Sequence, residues 1–333
     1  MSKTTKSIGA AAFAFSALMA GTALAAPAII YDLGGKFDKS FNEAAYNGAE
    51  AWAAETGEDY LDFELQNDAQ REQSLRRFAQ QGAQPIVMAG FSWASALEAV
   101  APEFPDTNFV VIDTVVDLPN IQSIMFDEHT GSFLVGALAA LKSETGTVAF
   151  VGGMDVPLIH RFYCGYAYGA RHVTPDIGLI ENYTGTTPAA WNDPVTAGEL
   201  TQAAIDSGAD VIFAAAGGSG MGVLQVADDA GVYSIGVDSN QNYMHPGSVL
   251  TSMVKRVDRA VHNAFIEAET DDTFQPGRID LGLADGGVDF ALDEYNADLI
   301  TDDMQTKVAE YKQGIIDGQI EVHDYYTDNA CPL

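Results

Sequence analysis

Positive charge is scarce in this 333-residue chain: 16 lysines and arginines stand against 47 aspartates and glutamates, a formal net charge of −31. A field of that sign repels nucleic acid and anionic membrane surfaces and disfavours strongly anionic ligands, but it says nothing about fold. Adaptation to a salty habitat is the plainer account of it. Cysteine is nearly absent. With only Cys164 and Cys331 present, a disulfide-dense scaffold is excluded. A single bridge tying down the C-terminal tail and a pair of free thiols both stay open, because spacing does not fix geometry. The six histidines are scattered and none stands at ligand spacing from a cysteine, so neither a metal nor any other cofactor is expected. Long apolar runs are missing too. Phe133 to Leu141 and Val211 to Ala216 have the length of core elements, not of membrane spans. Enzyme signatures are lacking: no G-x-S-x-G elbow, no H-E-x-x-H, no P-loop and no cysteine with a convincing histidine partner.

What is present begins with the N-terminus. Lys3 and Lys6 precede an apolar, small-residue stretch from Ile8 to Met19, and Ala23-Leu24-Ala25 supplies a small-x-small cleavage signature. Residues 1–25 therefore read as a cleavable export signal peptide, with a soluble, periplasmic mature protein. No cysteine sits at the cleavage site, so lipid anchoring is not expected. The roughly 308 residues that follow exceed what one hydrophobic core organises, and two lobes are the default.

Short apolar runs alternate with helical patterns almost throughout. Strands are expected at Ala28–Tyr31, Tyr60–Leu65, Pro85–Met88, Phe109–Ile112, Thr147–Val151, Gly178–Tyr183, Val211–Ala216, Tyr233–Val237 and Val249–Val254. Such uninterrupted runs fit strands buried on both faces of a parallel sheet. The fold class is α/β, with two doubly wound parallel-sheet lobes hinged by several crossings. Val249–Val254 and a helix Arg259–Glu269 are too few for a third core and are expected to complete the first lobe. That division gives residues 26–128 plus 245–272 for the first lobe and 129–244 plus 273–333 for the second.

In open α/β sheets ligands gather beyond the carboxyl ends of the strands. The residues just after each expected strand are Asp32 with Gly34-Gly35, then Gly90, Asp113, Gly152-Gly153, Gly217-Gly218 and Asp238. Any one aspartate can be explained as a helix or turn cap. Three of them facing one crevice point to a shared ligand, since a carboxylate accepts two hydrogen bonds from a sugar diol. The glycine cluster 216–222 follows a strand, but alone it is weak evidence for a dinucleotide. Lys255 ends an apolar strand near the expected hinge, suited equally to a structural ion pair and to ligand contact. Phe41 and Phe213, one in each lobe, could hold a heteroaromatic base between them.

The segments Asp38-Lys-Ser-Phe-Asn42, Gly131-Ser-Phe-Leu-Val-Gly-Ala-Leu138, Gly153-Met-Asp155, Ala216-Gly-Gly-Ser-Gly220, Gly236-Val-Asp-Ser239 and Leu250-Thr-Ser-Met-Val-Lys-Arg-Val257 resemble, in order, the basic-membrane-protein family. These are purine nucleoside receptor-like substrate-binding proteins of ABC transporters. The resemblance spans nearly the whole chain and implies the type I periplasmic-binding-protein fold with three interlobe crossings. It also implies stacking of a purine on Phe41 and Phe213, with Asn42 in the same motif as Phe41. Asp32 and Asp113 match the family's strand-end aspartates. Asp238 and Lys255 are implied to hold the ribose, with Gly218 contributing backbone. Trp93 and Tyr243 are expected to reshape the pocket. The partners implied are a small-molecule ligand and a transporter permease, and a monomer is expected because a hinged receptor must open and dock. Alternatives are the same fold holding a free nucleobase, a sugar or a signalling molecule, or a secreted nucleoside hydrolase. The hydrolase lacks the Asp-x-Asp run its chemistry needs after Tyr31.

Overall fold

Apolar runs bounded by glycine or aspartate become the strands of two sheets. The computed structural model describes residues 26–268 and 274–333; the expected signal peptide and Glu269 lie outside the described residues. In the first lobe β1 (Ala28–Tyr31), α1 (Phe41–Thr56), β2 (Leu61–Glu64), α2 (Gln70–Gln80), β3 (Ile86–Met88), α3 (Ala94–Val100), β4 (Phe109–Ile112) and β5 (Ile121–Phe126) follow one another. The chain then crosses into α4 (Glu128–Lys142), β6 (Thr147–Met154), α5 (Pro157–Val173), β7 (Gly178–Gly185), α6 (Pro194–Asp206), β8 (Val211–Ala215), α7 (Gly220–Ala230), β9 (Tyr233–Asp238) and β10 (Val249–Lys255). Next, α8 (Val257–Ala268) packs on α1, and β11 (Gly277–Leu281) pairs with β5, both in the first lobe. Last come β12 (Val288–Phe290), beside β10, and α9 (Asp302–Ile316), against α4, in the second.

The sheet orders are β11-β5-β4-β3-β1-β2 and β12-β10-β9-β8-β6-β7. Every pairing is parallel except β12 with β10. Three crossings join the lobes, at 126–128, 255–257 and 281–288.

Two expectations need correction. β10 belongs to the second lobe, paired with β9, not to the first. The second crossing therefore falls after Lys255 rather than before residue 245, and the third lies beyond Leu281 rather than at 272. Parallel neighbours are ordinarily joined by a dozen or more residues, often a helix. Here residues 239–248, with only the turn Asn242–Met244, suffice. Strand β5 was not expected at all. Gln122 and Ser123 break its apolar pattern, yet both are buried. Gln122 Nε2 donates to Glu267 and to the Gln275 carbonyl, and Ser123 Oγ accepts from the Val116 amide.

The second lobe's core is closed by unusually close helix packing. Cβ atoms added at Gly136 of α4 and Gly169 of α5 would lie 2.0 Å from the Tyr166 carbonyl oxygen and 1.9 Å from that of Phe133. Cys164 on α5 is bonded to Cys331, so the two thiols are paired and the C-terminal segment is fastened to this helix. Gly136→Ala gains about 1 kcal/mol of helix propensity but forces the helices apart, for a net loss of about 1–3 kcal/mol. Urea denaturation should show a lower midpoint for this variant; an unchanged midpoint contradicts the packing described.

Candidate functional site

The carboxyl ends of strands from both sheets open on one cavity, with about 580 Å³ of empty space including its mouth. Among the sequence-derived candidates, Asp32, Phe41, Asn42, Asp113, Asp238 and Lys255 line it. Asp113 and Asp238 directly follow or end the apolar runs of β4 and β9, and both adopt left-handed φ values, 72° and 63°. Aspartate tolerates that conformation better than most residues, at a cost of order 1 kcal/mol. The backbone turns there so that each carboxylate faces the cavity.

Lys255, at the end of β10, is 1% exposed. Its Nζ lies 2.7 Å from both carboxylate oxygens of Asp113, with only Oδ2 in hydrogen-bonding geometry, and 2.9 Å from Glu128 Oε1. The rings of Phe126, Phe41 and Phe162 surround the ammonium at 5.1, 5.3 and 5.7 Å. Burial favours the neutral amine, but the carboxylates of Asp113, Glu128 and Asp238 raise its pKa above the usual range, so it stays charged. Burial works against the ionised form of Glu128 as well, yet Lys255 and Arg161 hold this carboxyl below its ordinary value. Burial raises Asp113 and Asp238, and it pushes Asp38 up to about 7. The cavity thus carries more acceptors than its one lysine satisfies.

The remaining polar groups hold the frame. Asp32 accepts from Arg71 Nη2 at 2.6 Å and from the Leu33 amide at 2.7 Å, and burial raises its pKa. A Cβ at Gly90 would sit 2.0 Å from Asp32 Oδ2, so only glycine fits beside it. Asn42 Oδ1 accepts from the Asp32 amide while Nδ2 donates to the Asp32 and Gly35 carbonyls, bracing α1 against the end of β1. Asp38 starts α1 by accepting from the amides of Ser40, Asn42 and Glu43. Across the cleft Ser40 Oγ donates to Asp238, Ser239 Oγ donates to the Ser40 carbonyl at 3.0 Å, and Gln241 Nε2 donates to the Lys39 carbonyl at 2.9 Å.

Two candidates lie elsewhere. Phe213 is fully buried inside β8, against Phe150 and Tyr166 with ring centroids 5.6 and 5.3 Å away, and does not reach the cavity. Phe162 of α5 and Trp191 are the second-lobe aromatic residues that line the cavity. Gly218 is displaced by one residue: Gly217 lines the cavity, and Gly218 backs onto the Trp191 carbonyl. Trp93 is buried against Arg71, and Tyr243 lies on the surface, so neither shapes the pocket. Asp38, Phe162 and Trp191 line the cavity and Glu128 pairs with Lys255, though none of the four directly follows an expected strand. Glu128 follows β5 by two residues, so recognition of that strand would have exposed it. Among the described residues no acidic or histidine cluster is arranged to hold a metal ion, and no helix is long and apolar enough to cross a membrane.

Comparison with known proteins matches residues 28–325 to a family described as "ABC transporter substrate-binding protein PnrA-like" (Bmp). The chain belongs to this Bmp family. It is 33% identical over 319 residues to the "ABC transporter nucleoside-binding protein BmpA" of Lactococcus lactis subsp. cremoris, covering 89% of this chain and 88% of the relative. An uncharacterized lipoprotein of Pyrococcus abyssi is 33% identical over 286 residues, covering 79% and 68% of the two chains. A solved solute-binding protein of an ABC transporter system from Aeropyrum pernix superposes with a TM-score of 0.81 at 28% identity, over 89% of this chain and 92% of that one. Bmp members are substrate-binding components of ABC transporters, not enzymes, and the two-lobed type I fold agrees with that assignment.

The ion cluster makes a stability prediction independent of any ligand. Lys255→Met leaves Asp113 without its cation and Glu128 with Arg161 alone, which should cost about 3–5 kcal/mol. Chemical denaturation of the ligand-free protein measures this. A loss below about 1 kcal/mol contradicts the pairing.

Proposed function

We propose that this Bmp protein binds a purine nucleoside in the cleft between its lobes and delivers it, from outside the cytoplasm, to an ABC permease. The observation that carries this reading is the neighbourhood of Lys255. A buried ammonium and two cavity carboxylates, Asp113 and Asp238, stand beside the aromatic surfaces of Phe41, Phe162 and Trp191. Unused acceptor capacity on Asp113 and Asp238 suits the vicinal hydroxyls of a ribose, while the rings suit the flat face of a base. The Lactococcus relative is described as nucleoside-binding, which supports the same class. Phe41 takes the stacking role from the first lobe, and Phe162 with Trp191 supplies the opposing apolar wall. Export follows from the leader-like residues 1–25, and an oxidising periplasm suits the Cys164–Cys331 bridge. We take the receptor to act as a monomer that opens and closes about its three crossings.

A thermal-shift panel of guanosine, inosine, adenosine, free bases, ribose and glucose tests the ligand class. A ligand at 100 times its dissociation constant adds about 2.7 kcal/mol, so nucleosides should raise Tm clearly; a shift with sugars alone sinks the reading. Asp238→Ala should weaken nucleoside binding by about 2–4 kcal/mol, measured by calorimetry. Because the cavity is rich in carboxylates, a 5′-monophosphate should bind at least about a hundredfold more weakly than its nucleoside. Equal affinities would contradict the electrostatic account.

A further inference from the structure

We propose that the C-terminal segment is a strap that tunes the cleft from outside it, with Asp324 as a positioning residue acting on Lys255 through Arg161 and Glu128. Asp324 does not line the cavity. Its two oxygens accept from Arg161 Nε at 2.7 Å and Nη2 at 2.8 Å, a bidentate fork that fixes the plane of the guanidinium. The Tyr326 ring lies 5.0 Å from the same guanidinium carbon, and the Tyr326 amide donates to Asp324 at 3.0 Å.

With two of its nitrogens held by the strap, Arg161 directs the third, Nη1, at Glu128 and at the Phe126 carbonyl. Phe126 ends β5 at the first crossing, so the strap reaches the hinge through Arg161. The Arg161 and Glu128 side chains are 2% and 0% exposed. Glu128 is shared: one oxygen faces Arg161, the other lies 2.9 Å from Lys255 Nζ. How Glu128 divides itself between the two cations sets where the Lys255 ammonium rests between Glu128 and Asp113. Asp127 Oδ1 also accepts from Arg161 Nη2, at the longer distance of 3.3 Å. Neutralising Asp324 therefore removes the closer of these two counter-charges and frees the guanidinium plane, which draws Glu128 towards Arg161 and away from Lys255. The strap is pinned for this role. Cys331 is bonded to Cys164, three residues along α5 from Arg161, and Tyr168 donates to the Pro332 carbonyl.

The affinity arm of the test rests on the nucleoside reading; the second arm does not. Calorimetry with guanosine would compare wild type, Asp324→Asn, Asp324→Glu and, as a surface control, Asp303→Asn, whose partner is the exposed Lys307. In parallel, the side-chain ammonium signal of Lys255, assigned by its loss in Lys255→Arg, would be followed by 1H–15N NMR without ligand. The strap predicts at least tenfold weaker binding and a displaced Lys255 signal for Asp324→Asn, substantial recovery of both in Asp324→Glu, and neither effect in Asp303→Asn. An unmoved Lys255 signal in Asp324→Asn overturns the proposal, as does wild-type affinity in that variant. If wild type binds no nucleoside, the ligand reading falls while the NMR arm still decides the strap.

Discussion

The Lys255 ammonium is removed from water almost completely, and the rest of the cleft is arranged around the cost of that removal. A buried charge is tolerated only where partners and hydrogen bonds compensate its desolvation. Its partners come from different parts of the chain: Asp113 from the end of β4 in the first lobe, Glu128 from the first crossing, and the lysine itself from the last position of β10 in the second lobe. One ion cluster therefore fixes the register of two lobes. It also explains why the second crossing follows Lys255 directly: the strand must end at the interface for its terminal side chain to meet the other sheet.

That arrangement leaves the cleft short of donors. Asp113 and Asp238 sit in strained left-handed turns and are raised by burial, and Asp38 is pushed up to about 7. Strain and unused acceptors are tolerated where a ligand offsets them. A ligand that brings hydroxyl donors and a flat apolar face answers both requirements at once. Hydrogen bonds of Ser40, Ser239 and Gln241 join the two lobes beside this cleft.

Much of this was legible in the chain, for a physical reason. Strands buried on both faces show as uninterrupted apolar runs, and the residue after each run is the one aimed at the crevice, which is how Asp32, Asp113 and Asp238 emerged. The same property hid other features. A run without alternation does not say which side chain faces which layer, so Phe213 was placed at the cavity although it packs on Phe150 and Tyr166. Buried polar residues in β5 concealed that strand, and with it Glu128. The short β9–β10 connection carries no helix signal, so the chain does not reveal that β10 pairs with β9 in the second lobe. Trp191 reaches the cavity from the turn Pro188–Trp191, which no strand-end rule finds.

In the function proposed for this cleft, the two lobes hold a purine nucleoside by its base and its ribose at the Lys255 cluster. A crystal structure of the protein grown with guanosine tests it most directly. The purine ring should lie against Phe41, with ribose hydroxyls within hydrogen-bonding distance of Asp238 and Lys255. A nucleoside bound elsewhere, or seated with its ribose turned away from that pair, would contradict it.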